Sequence, residues 1–244
     1  MKDSFLKYRS NEKELLDRQD IPFDDIRANM EELDLINTYL GGHKITIDGI
    51  EELVKSVGIS GNQKAISIAE IGCGGGDNLI SVQKWCLKKN FQVHLCGIDI
   101  NPACIQFAQS KAGAEKIQFI CSDYREVQFE RQPDILFSSL FCHHFTDSEL
   151  ITMFRWFEDN SRAGYFINDL QRNLVAYHSI RWLTHMFSRS YLVKNDAPLS
   201  VKRGFHRSEL KDIFRKASIH GADIYWKWAF RWLVIRRKKS VRNN

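Results

Sequence analysis

The sequence predicts an α/β domain in which a mostly parallel sheet carries helices on both faces, behind an N-terminal helical cap. Three observations predict it. Five short apolar runs recur between residues 65 and 170. Helical patterns separate them, and a glycine-rich turn follows the first run at once. Strands that read as continuous apolar runs are covered on both faces, and helices between them supply the crossovers that parallel strands need. Those crossovers are expected to be right-handed.

The elements follow in order. Residues 1–62 read as the cap and 63–244 as the main domain. Asp24 and Asp25 open a helix, in which Ile26, Met30, Leu33, Leu35, Ile36 and Leu40 recur near helical spacing. Gly41 and Gly42 are expected to stop it, and Ile50 to Val57 reads as a second short helix. The apolar runs are AISIAEI (65–71), VHLCGIDI (93–100), IQFICSD (117–123), DILFSSLF (134–141) and GYFINDL (164–170). Helical patterns lie near 77–89, 102–112 and 147–161. Residues 171–204 read as a helical insertion holding VAYHSIRWLTHMF. A helix opened by HRSEL follows, then two strands, DIYWKWAF and RWLVIRR, with no turn signal between them.

Length and composition narrow the function classes. A chain of 244 residues suits one domain with an added cap. Apolar residues make 43% and charged residues 27%, which gives an ample core and an ordinary surface. The aromatic share, 12%, is rich enough to line a pocket as well as fill a core. The net charge of +5 gathers at the end, in Arg236, Arg237, Lys238, Lys239 and Arg242, and reads as a solvated basic tail. No apolar run reaches the roughly 18 residues of a membrane span. The N-terminus is charged and lacks an apolar signal core, so a cytoplasmic protein is expected. Six scattered cysteines form no CxxC pair; they read as small buried hydrophobes, and no metal site is expected.

The chemistry gathers after the first run, in Glu70-Ile-Gly-Cys-Gly-Gly-Gly76-Asp. Gly72, Gly74 and Gly76 let the backbone turn sharply and approach a ligand with no Cβ in the way. The loop lacks the GK[ST] of a P-loop, and its GxGxG spacing departs from GxGxxG. Glu70 is positioned to complement an ammonium group. Asp99, ending the second run, is positioned to accept hydrogen bonds from two ribose hydroxyls, which suits any adenosine cofactor. Asp123, after the third run, is expected at an adenine amine, with Tyr124 near the base. Each acid alone also suits a helix cap or a loop.

Together, ExGCGGG, GIDINP, the CSD after the third run and SSLFCHHF after the fourth resemble the class I, Rossmann-like methyltransferases that use S-adenosylmethionine (SAM), over roughly residues 60 to 235. The resemblance implies a Rossmann-like seven-stranded sheet whose antiparallel last strand inserts between the fifth and sixth. It implies SAM as cofactor and S-adenosylhomocysteine as product. It implies a pocket lined by Glu70, Gly72, Cys73, Gly74, Gly76, Asp99, Ile100, Asp123, Tyr124, Ser139 and Leu140.

SSLFCHHF is similar to the fourth-strand motif of small-molecule methyltransferases, and the [DN]PP[YF] of nucleobase amino-methyltransferases is absent. His143 and His144, just past that strand, are candidates for a general base, with local packing as the other reading. Asp169, after the fifth run, is a second candidate. His178 and His206 are weaker ones. The cap and insertion carry Phe5, Tyr8, Met30, Tyr39, Tyr177, Trp182, Met186 and Phe187, expected as an apolar lid. LINTYLGG, FINDLQRN and SRSYLVKNDAPLSVKRGF resemble bacterial methyltransferases of polyketide and aromatic-lipid pathways, which implies methylation of an aromatic or polyketide-like hydroxyl. Other readings stay open: C-methylation of a quinone-like ring, an RNA or protein methyltransferase, and a non-catalytic SAM-fold partner. The expected partner is a small molecule, with no stable nucleic-acid partner.

Overall fold

The computed structural model describes residues 6–18, 20–57, 65–111 and 113–238. Seven strands, β1 (Ile66–Ile71), β2 (Val93–Asp99), β3 (Ile117–Cys121), β4 (Ile135–Ser139), β5 (Gly164–Leu170), β6 (Ala222–Lys227) and β7 (Arg231–Arg237), form one sheet in the order β3-β2-β1-β4-β5-β7-β6. The first five strands run parallel. β7 runs antiparallel to both β5 and β6, the insertion that the resemblance implies. Strand order reverses between β1 and β4, and ligands of open α/β sheets bind at the carboxyl ends of strands at such a point.

Among the described residues eight α-helices accompany the sheet: α1 (Phe23–Tyr39), α2 (Gly42–Val57), α3 (Asp77–Lys88), α4 (Pro102–Ser110), α5 (Asp147–Asn160), α6 (Leu174–Phe187), α7 (Tyr191–Arg203) and α8 (Arg207–Lys216). Successive strand residues point to opposite faces. Ile66 and Ile68 of β1 therefore join a core with Leu53 of α2, Leu79 of α3 and Ile105 of α4. Ala69 and Ile71 join the opposite core with Phe154 of α5 and Ile213 of α8.

Two expectations, the start of the second helix and the free basic tail, need correction. Gly41 does end α1, but α2 begins at Gly42 rather than near Ile50. Gly41 takes a φ of +74°, which turns the chain directly from one helix into the next. α2 then packs on β5 and β7, so it belongs to the sheet's covering layer. The insertion is two helices, α6 and α7, packed on each other. The basic end is not a free tail as far as it is described. Arg236 pairs with Glu158 at 2.8 Å, Arg237 with Glu52 at 2.9 Å and Asp223 at 2.6 Å, and the Lys238 ammonium donates to the Ser161 carbonyl at 2.7 Å. Lys239 and Arg242 lie outside the described residues. Cys73, Cys86, Cys104 and Cys142 are buried, whereas Cys121 is exposed. Among the described residues no helix is long and apolar enough to cross a membrane.

Candidate active site

A cavity of about 1310 Å³ opens at the carboxyl ends of β1, β2 and β4. Its first wall is the glycine loop. Gly72 takes a φ of +70°, and a Cβ there would stand 2.2 Å from the Phe141 ring, so no larger residue fits. Gly74 and Gly76 are also left-handed, at +49° and +72°. The Gly74 amide donates to Asp99 Oδ2 at 2.8 Å, and the Asn101 amide to Oδ1 at 2.9 Å. Asp99 thus ties the loop to the end of β2, a role the sequence did not suggest, and each of its oxygens keeps a further lone pair for a ligand. Burial pushes its carboxyl up, against the pull of those amides.

Glu70 sits on β1 beneath the loop with 1% of its surface exposed. Its Oε1 accepts from Asn78 Nδ2 at 3.0 Å, while Oε2 has no hydrogen-bond partner. Burial, with Asp77 and Asp99 adding to it, raises its carboxyl well above the ordinary range. A buried carboxylate with a free oxygen at a cavity wall is suited to an incoming cation. The residues present therefore fit the amino-acid end of SAM.

The remaining loop residues are less simple. Asp123 caps the turn over 124–126 by accepting from the Arg125 amide at 2.9 Å, and it pairs with the Arg125 guanidinium, which lowers its pKa. Tyr124 sets its ring edge-on to Trp156 at 5.1 Å, turned into the α5 core. Both still border the cavity, as do Ile100, Ser139 and Leu140. Cys73 is buried and burial holds it as a thiol.

The opposite wall is a polar cluster drawn from five places in the chain. His143 Nδ1 bonds Asp169 Oδ1 at 2.8 Å, and the His143 amide donates to Asp169 Oδ2 at 3.2 Å. The Glu14 carboxylate, 5% exposed, lies between the two histidines, with Oε1 3.4 Å from His143 Nε2 and Oε2 3.6 Å from His144 Nε2. Asp17 Oδ1 stands 3.2 Å from His144 Nδ1. Ser200 donates its hydroxyl to Glu14 at 2.7 Å. Two arginines hold the turn from outside. Arg9 donates to the Phe145 carbonyl at 2.8 Å, and Arg203 donates to the His143 and His144 carbonyls at 3.1 and 2.6 Å.

Burial alone would lower the His143 pKa, but Asp169 and Glu14 outweigh it and hold the ring at about 9. Asp169 and Glu14 are pulled down in turn by the histidines, against their own burial. His143 is thus a buried imidazolium between two carboxylates, with no proton-accepting nitrogen left for an acceptor. His144, 20% exposed, borders the cavity. Glu14, His143 and His144 bring three ligand atoms within 4.8 Å of one another, a grouping unanticipated by a sequence in which no metal site is expected. The imidazolium already supplies the positive charge between Glu14 and Asp169.

Sequence reasoning missed Glu14, Asp17, Arg9 and Arg203 because nothing local ties them to the site. Asp196 of α7 fixes the segment by accepting the Leu15 and Leu16 amides at 2.8 and 2.9 Å. The lid expectation is corrected as well. Met30 borders the cavity, with Ile26, Leu33, Ile36, Ile180 and Leu183. Tyr8, Tyr39, Trp182, Met186 and Phe187 face solvent instead. Tyr177 is half-buried, and Phe5 lies outside the described residues. His178 is exposed on α6, and His206 caps α8 in a reciprocal bond pair with Glu209.

Residues 68–164 match the family described as a methyltransferase domain. Over those residues the chain is similar to methyltransferase domains. The matched span runs from β1 to the start of β5, so it holds the glycine loop, Asp99, Asp123 and both histidines but neither Glu14 nor α6 and α7. Among curated proteins the chain is similar to the malonyl-[acyl-carrier protein] O-methyltransferase of Priestia megaterium, 29% identical over 43% of this chain and 40% of that one. It is also similar to malonyl-[acyl-carrier protein] O-methyltransferase 1 of Ilyobacter polytropus, 31% identical over 65% of this chain and 54% of that one. The chain spans about half the length of these relatives, or less. Among solved structures, human N-acetylserotonin methyltransferase in complex with SAM aligns with a TM-score of 0.61 at 13% identity, over 89% of this chain and 56% of that one. The plantazolicin methyltransferase in complex with S-adenosylhomocysteine aligns at 0.60 and 16% identity, over 88% and 89%. Both share the fold of this domain.

Proposed function

We propose that this domain transfers a methyl group from SAM to a hydroxyl oxygen of a small-molecule acceptor. The observation that carries the reading is one cavity with two chemically different walls. The unpartnered Glu70 oxygen and the left-handed glycine loop form one wall, and the Glu14, His143 and His144 cluster forms the other. Glu70 would hold the ammonium of SAM, the glycine loop would lie along its amino-acid portion, and Asp99 would take the ribose hydroxyls. Asp123, Tyr124 and Ile100 would flank the adenine. Bound there, SAM supplies an electrophilic methyl carbon.

The protein's own residues do the rest. His144, the more exposed of the two histidines that border the cavity, takes the acceptor's hydroxyl proton as general base. His143 and Asp169 are positioning residues, fixing the turn that carries His144. Ile26, Ile36, Ile180 and Leu183 exclude water and hold an apolar acceptor body close to the methyl position. The curated relatives' names, both O-methyltransferases, favour oxygen over carbon.

The test is turnover with methyl-labelled SAM against a panel of phenols and hydroxylated acyl compounds. The reading predicts labelled methyl ether or ester, and a loss of about a hundredfold in kcat in His144→Ala with SAM affinity kept. Labelled carbon–methyl product, or unchanged kcat in the variant, would contradict it.

A further inference from the structure

The aromatic residues that do not line the cavity leave an outward face on α6 that is exposed among the described residues. Val175, Trp182 and Met186 are 60%, 59% and 58% exposed. Their spacing of seven and four residues sets them along one stripe of the helix. Phe187, 73% exposed, meets the Trp182 ring edge-on at 6.1 Å. Ala176, Ile180 and Leu183, on the inward side of the same helix, line the cavity.

Charge on this face has one sign. No Asp or Glu occurs between Leu170 and Asn195. Arg181, Arg189 and Lys194 are exposed cations, and His178 and His185 flank the stripe. Two acids of α1 are engaged at the turn between α6 and α7. Glu32 accepts the Arg189 and Ser190 amides at 2.8 and 3.1 Å, and Asp25 accepts the Tyr191 hydroxyl at 3.2 Å. An exposed stripe with Trp and Phe, bordered by arginine and free of acids, has the make-up of a helix that lies in a membrane interface.

We propose that the outward face of α6 docks on the surface of an anionic phospholipid bilayer, where it presents the cavity to acceptors with a long apolar portion. The second half rests on the methyl-transfer reading; the docking surface does not. Arg181 and Arg189 meet the headgroups, while Trp182, Met186 and Phe187 enter the boundary between headgroups and acyl chains. An acceptor leaving the bilayer there passes the side of the helix that already lines the cavity.

The experiment is sedimentation of the full chain with vesicles of phosphatidylcholine alone and of phosphatidylcholine mixed with phosphatidylglycerol. Binding is expected to the mixed vesicles, weakening as salt is raised. Two variants at exposed positions keep the test independent of folding. Trp182→Ser with Phe187→Ser and Arg181→Glu with Arg189→Glu should each weaken binding about tenfold or more. No binding to mixed vesicles would overturn the proposal, as would equal binding by the wild type and both variants. Capture by an acidic acyl-carrier protein without vesicle binding would overturn it in favour of a protein partner. Calorimetric titration with SAM separates the two readings, since vesicle binding without SAM binding refutes methyl transfer and leaves the docking surface standing.

Discussion

The two walls of the cavity are built in opposite ways. The glycine-loop wall comes from short stretches at successive strand ends, and each stretch carries its own backbone requirement. Gly72 meets Phe141 and needs a left-handed φ, and Asp99 receives the loop's amide. The cluster wall is assembled from Arg9, Glu14, Asp17, His143, Asp169 and Arg203, with up to 194 residues between bonded partners. The first wall depends on conformation, which the sequence specifies locally. The second depends on buried charge, which only tertiary packing brings together.

Breaking that contrast should be easiest at Glu14. Glu14→Ala strands the His143 imidazolium beside Asp169 with one counter-charge gone. Urea unfolding should then show a loss of about 3 kcal/mol. A loss within error would mean that the cluster's charges are not coupled.

The same cluster sets a pH window. The folded pKa of His143, about 9, stands above the ordinary imidazole value, so its contribution is fully present below about 6.5 and disappears as pH rises through about 9. Asp169 and Glu14 are depressed, so theirs is present above about pH 4 and lost as pH falls through their folded values. Thermal melts should therefore show falling Tm from neutrality through about pH 9, with the decline shallower in Glu14→Ala. A flat Tm over that range would contradict the imidazolium assignment.

The smallest effect should come from Arg125→Ala. Its pairing with Asp123 is solvent-exposed, and exposed pairs contribute little. Tm should not move measurably. SAM affinity should hold or rise slightly as Asp123 is freed to face the cavity, and a large fall would show that Arg125 itself binds the cofactor.

Legibility in the sequence follows the same division. The five parallel strands and the glycine loop were readable because apolar runs, glycine spacing and strand-end acids are local signals, whereas the insertion of the antiparallel last strand came only from the family resemblance. Asp99's anchoring of the loop was not, since that needs the distance between β1 and β2. Trp182 and Phe187 were misassigned to the lid because helical periodicity gives a face but not which face turns inward. Glu14 and Asp17 stand in a charged stretch with no periodic mark, and their place in the site follows from tertiary contacts such as Asp196 accepting the Leu15 and Leu16 amides.

The central claim is that the free Glu70 oxygen receives the ammonium of SAM. Calorimetric titration of the wild type and Glu70→Gln with SAM, in buffers of different ionisation heat, tests it most directly. Because burial raises the Glu70 carboxyl, complex formation should release protons, and wild-type affinity should rise with pH above the ordinary carboxylate range. Glu70→Gln should lose both effects and bind about a hundredfold more weakly. Equal affinity in the two proteins, with no proton release, would contradict the account.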